Sequence, residues 1–122
     1  MTTVALRRGD QLPDFEAATI EGARFRYVDI WQHRNLIAIN AMVSSAAVLT
    51  YVADLRARVA ALKPDNSSVV AVQNASALPA SSIVICDRWG EIVLVAPLVD
   101  DLAQWPPPDD LLEWLNMVRY RC

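Results

Sequence analysis

The chain has 122 residues, a formal net charge of −3 and 54% apolar residues with only 3 glycines, enough for one packed domain (residues 1–122) and too apolar for a disordered chain. Its mean hydropathy is +0.23 and its pI about 5.0, but its apolar runs are far shorter than a bilayer span and its acidic balance is wrong for a dedicated nucleic-acid binder. Two distant cysteines and one histidine exclude a disulfide scaffold and a standard one-chain zinc site, so no metal or cofactor is expected; the residues after Met1 lack the apolar stretch of a secretory signal, so a reducing, cytoplasmic setting is expected.

Residues 1–14 read as an irregular lead-in ending at Leu12-Pro13-Asp14. Phe15–Ile20 and Arg24–Val28 flank Glu21-Gly22, which predicts a β-hairpin. Asp29–Asn35, with the sole histidine His33, reads as a turn or short 3₁₀ segment. Leu36–Val43 is almost continuously apolar, the pattern of a central strand covered on both faces. Asn40 interrupts that run, and a buried amide there needs partners.

A helix is predicted after Ser44-Ser45, because Val48, Val52, Leu55, Val59 and Leu62 recur at helical spacing. Either serine suits the N-cap, Asp54 and Arg58 form an i,i+4 pair, and Pro64 ends the helix. Ser68–Gln73 follows as a second buried strand, so the two strands should be parallel. Asn74–Ser81 is a small-residue loop containing Pro79. Ser82–Cys86 and Glu91–Ala96 are separated only by Asp87-Arg88-Trp89-Gly90, which predicts an antiparallel hairpin. A last helix is expected from Pro108 to Arg121, with Asp109 and Asp110 at its positive end and Leu111, Leu115 and Val118 on its apolar face. The fold class is α/β: a mixed sheet built from an N-terminal hairpin, βαβ and ββα, with packed helices.

That order resembles a thioredoxin-like fold, and several phrases resemble its AhpC/TSA branch (peroxiredoxins, or redoxins). Gly9-Asp10-Gln11-Leu12-Pro13-Asp14-Phe15 is similar to the branch's G-D-x-x-P-D-F lead-in. Glu21-Gly22 falls at its D-G turn, Asp87-Arg88-Trp89-Gly90-Glu91-Ile92 resembles its D-R-x-G-E-I hairpin, and Trp114-Leu115 in a final helix closing on Cys122 is similar to some family tails.

Three departures qualify what the resemblance implies. The family's chemistry uses a cysteine at the start of the helix after the central strand, where the helix terminus favours the thiolate. Aligned on Leu55, the C-x-x-C frame falls on Ser45-Ala46-Ala47-Val48, and no placement supplies the peroxiredoxin T-x-x-C. The helix that normally follows the Val69–Gln73 strand is replaced by Asn74–Ser81. The position of the family's cis-proline falls near Ser81, with Pro79 two residues too early. The chain is therefore expected to be a trimmed, degenerate member of that fold, with Ser44, Ser45 and Val48 at the altered active-site position.

The function expected from this is a redox-silent module for protein interaction or structure, as a homodimer or a subunit of an assembly. The competing expectation is a thiol oxidoreductase or antioxidant protein using Cys86 or Cys122. Cys86 reads first as a small core residue and Cys122 as a free terminal thiol, and a bridge between them would need Cα atoms within about 7 Å. Trp89 and Trp105 read either as packing at loop ends or as an aromatic contact surface for a partner. A nucleophilic serine would need a base, and His33 lies in a different turn.

Overall fold

Seven consecutive residues, Asn35–Ala41, are all buried, and they form the strand around which the rest of the molecule is arranged. The computed structural model describes residues 6–42, 45–61, 67–99 and 101–119. In chain order these give β1 (Glu16–Ala18), β2 (Arg24–Arg26), β3 (Asn35–Ala41), α1 (Ala46–Ala61), β4 (Ser67–Gln73), β5 (Ser82–Cys86), β6 (Ile92–Pro97) and α2 (Pro108–Arg119). Short 3₁₀ turns lie at Tyr27–Asp29 and Leu102–Gln104.

The main sheet has the order β4-β3-β5-β6. β3 pairs parallel with β4, as the intervening helix requires, and antiparallel with β5, which pairs antiparallel with β6. Alternation along β3 explains its unbroken apolar run. Ile37, Ile39 and Ala41 pack with Val48, Val52, Leu55 and Val59 of α1 and with Leu111 and Leu115 of α2. Leu36 and Ala38 belong to a second cluster with Leu12, Phe15, Tyr27, Leu78 and Cys86. Both helices thus share one face. The other face is covered by the N-terminal segment and by the loop after β4, since eight residues cannot supply a packed helix.

The expected hairpin is present but shorter, and it forms its own two-stranded sheet. One bridge, Thr19 to Val72, joins it to β4. Tyr27 and Val28, expected in its second strand, instead enter a 3₁₀ turn. The Tyr27 ring is buried and stacked on Phe15, and its carbonyl accepts the N–H groups of Ile30 and Trp31. Arg58 links the two helices: it reaches Asp54 at 3.1 Å and Asp109 at 2.7 Å. The predicted helix end at Leu62–Pro64 and the last turn of the final helix beyond Arg119 lie outside the described residues.

Between β5 and β6, Asp87 Oδ1 accepts the N–H groups of Trp89 and Glu91, both at 2.9 Å, and so shapes the turn. Gly90 completes that turn at φ +87°, a conformation costly for residues with a Cβ.

Candidate functional site

The turn from β3 into α1 is the place the sequence singles out. β3 is buried to its last residue, so the chain leaves the sheet there, and Met42 bends outward with 49% exposure. Ser44 lies outside the described residues. Ser45 caps α1: its Oγ accepts the Val48 N–H at 3.2 Å and its carbonyl accepts the Leu49 N–H at 3.0 Å. Val48 turns into the core. Of the four-residue frame Ser45–Val48, the first position is therefore an exposed capping hydroxyl and the last a core side chain.

The Ser45 hydroxyl has no nearby imidazole. His33 is exposed and precedes the opposite end of β3. The strand's length separates them, about 20 Å for six steps of roughly 3.3 Å. A serine alkoxide is far harder to form than a thiolate, and a helix terminus contributes only about 1–2 kcal/mol toward it.

Loop 74–81 crosses the same end of the sheet. Asn40 is completely buried and holds it: its Nδ2 donates to the carbonyls of Ala75 (3.1 Å) and Pro79 (2.9 Å), and its Oδ1 accepts the Ala75 N–H at 2.7 Å. Ser82 Oγ donates to the Pro79 carbonyl at 2.7 Å, and Asn74 N–H to the Ala41 carbonyl at 2.8 Å. Asn74 and Ser81 sit in the left-handed region at φ 49° and 47°. Among the described residues there is no cis peptide bond, so Pro79 is trans.

Cys86 is distant from this turn. It pairs with Leu36, about 17 Å along β3 from Ala41, and its side chain belongs to the cluster on the face away from α1. Burial pushes its thiol up to about 12, outweighing the hydrogen-bond contact with the Tyr27 hydroxyl at 3.8 Å. Cys122, and with it any bridge to Cys86, lies outside the described residues.

The two tryptophans occupy different places. Trp89 is 48% exposed on the β5–β6 turn, with the Arg88 guanidinium 5.5 Å from its ring centre. Trp105 is half-buried: it meets Tyr51 edge-on at 5.1 Å and donates its indole N–H to the Val99 carbonyl at 2.8 Å. The sequence reading missed Trp31. That ring is 40% exposed, and its indole N–H donates to the Trp89 carbonyl at 3.2 Å. It lies in the short segment Asp29–Asn35, which carries no periodic signal that would have marked it.

No family model and no curated protein matches the sequence. Solved structures do. AhpC of Enterococcus faecalis is similar with a TM-score of 0.68 at 15% identity, over 93% of this chain and 92% of that one. A yeast mitochondrial 1-Cys peroxiredoxin is similar with a TM-score of 0.68 at 9% identity, over 94% of this chain and 77% of that one. The fold is thioredoxin-like. A third similar structure, a putative DsbE thiol:disulfide interchange protein of Chlorobium tepidum, has a TM-score of 0.66 at 12% identity, over 93% of this chain and 99% of that one. Within this thioredoxin-like frame, Ser45 begins the helix that follows the central strand, and a loop tied down by Asn40 connects β4 to β5.

Proposed function

We propose that this domain is a redox-silent, thioredoxin-like module that works through protein contacts, as a cytoplasmic homodimer or a subunit of a larger assembly. One observation carries the reading: a hydroxyl, engaged as a helix cap, stands where α1 opens onto the surface. No disulfide or sulfenic acid can form on that atom. The surface around it is suited to contact, since Met42 and Leu49 on either side of Ser45 are 49% and 42% exposed. Trp89 is the outlying aromatic available to a partner. Among the described residues no helix is long and apolar enough to cross a membrane.

The competing role, a thiol oxidoreductase using Cys86 or Cys122, has less support. The buried Cys86 thiol favours its neutral form, and the thiolate is the reactive species. Insulin reduction and peroxide consumption by the wild type and by the Cys86→Ser/Cys122→Ser double variant distinguish the two. Silence in both proteins is expected, together with a dimer in size-exclusion chromatography that persists in reductant. Turnover by the wild type that is lost in the double variant would establish the thiol enzyme instead.

A further inference from the structure

We propose that the cavity beside Trp31 binds a small aromatic amine in its ammonium form. This goes beyond the interaction role above and does not rest on it, because the cavity is walled by the N-terminal segment and the turn before β3, away from Ser45.

The cavity measures about 340 Å³, within the range of roughly 300–1,000 Å³ typical of small-molecule sites. Leu12, Pro13, Tyr27, Val28 and Trp31 form its apolar walls. Leu12 and Tyr27 are buried, whereas Val28 and Trp31 leave 46% and 40% of their surface open. The walls are held from behind. Tyr27 Oη contacts Cys86 Sγ, and the Trp89 carbonyl accepts the Trp31 indole N–H at 3.2 Å and the Gln11 side-chain amide N–H at 2.7 Å. Such a preset pocket loses little entropy on binding.

Of the two polar wall residues, Gln11 and Asp14, the second sets the charge. Asp14 is exposed, lines the cavity, and makes no ion pair among the described residues. Burial holds the Tyr27 phenol protonated, and the negative charges of Asp87 and Asp14 reinforce this. Asp14 is the one acidic side chain lining the cavity, which disfavours an anionic guest. An aromatic ring fits the apolar walls and the Trp31 indole, and an ammonium on a short chain meets Asp14.

The test compares 2-phenylethylammonium with the uncharged 2-phenylethanol at pH 7, by tryptophan emission and by the assigned indole N–H resonances. Saturable binding of the ammonium is expected, about tenfold tighter than the alcohol, with the largest shift at Trp31. Asp14→Asn is expected to weaken the ammonium about tenfold and leave the alcohol unchanged. Val28→Arg, at an exposed position, is expected to abolish binding of both while circular dichroism and melting stay as in wild type. No saturable binding to the wild type, equal affinity for the two compounds, or undiminished binding to a folded Val28→Arg variant overturns the proposal. The wild-type comparison decides the matter even if a variant fails to fold.

Discussion

Replacing Asn40 with alanine probes how a thioredoxin-like fold manages without the helix after β4. The side chain is fully buried and bonded to loop 74–81 at Ala75 and Pro79. Its removal orphans the Ala75 N–H, which has no other acceptor among the described residues, at a cost of about 1–3 kcal/mol. The two carbonyls lose less. Pro79 keeps the Ser82 hydroxyl, and Ala75 keeps a long contact at 3.4 Å from the Leu78 N–H. Each lost neutral bond adds about 0.5–1.5 kcal/mol, so a total near 3 kcal/mol is expected, a large share of the roughly 5–15 kcal/mol that holds a domain folded. Equilibrium urea denaturation gives the loss, and native-state hydrogen exchange at the Ala75 amide locates it. Asn40→Asp is expected to be at least as damaging at pH 7, since its carboxylate would face the Ala75 and Pro79 carbonyls. A loss below about 1 kcal/mol with the Ala75 amide still protected would refute the idea that this amide organises the loop.

Stability is expected to fall in alkali because of Cys86. The folded thiol titrates at about 12 against an ordinary value near 9.0, so the folded state holds a proton that the unfolded chain releases between them. The contribution is intact below about pH 9 and declines by roughly 1.4 kcal/mol per pH unit as pH rises toward 12. In Cys86→Ser the decline should begin only above about pH 10, where buried Tyr27 and Tyr51 start to contribute, and pH-dependent melting curves measure the difference. Ser45→Ala should cost about 1 kcal/mol as a lost cap, while Ser45→Cys should yield a thiol alkylated by iodoacetamide at pH 7 far faster than Cys86. Gly90→Ala should destabilise the β5–β6 turn by more than about 1 kcal/mol in thermal melts, because φ is +87° and the new Cβ would press on the Gln11 amide and the Tyr27 hydroxyl.

Local pattern alone determined most of the elements of this chain. The run Leu36–Val43 announced a doubly covered strand, the spacing of Val48, Val52, Leu55 and Val59 a helix, and Asp87–Gly90 a tight hairpin, because period and turn chemistry are properties of neighbouring residues. The serine at the helix start was equally legible, since a cap acts within one turn. Only tertiary structure decided that both helices pack on one face, that Asn40 finds its partners in loop 74–81, and that Tyr27 leaves its strand to stack on Phe15. The pairing of Trp31 with the Trp89 carbonyl and the cavity that Trp31 borders likewise needed the fold, because residues 58 positions apart have no local signal of meeting. Burial of a thiol or an amide depends on what other segments cover, and that is set by the packing of distant parts of the chain.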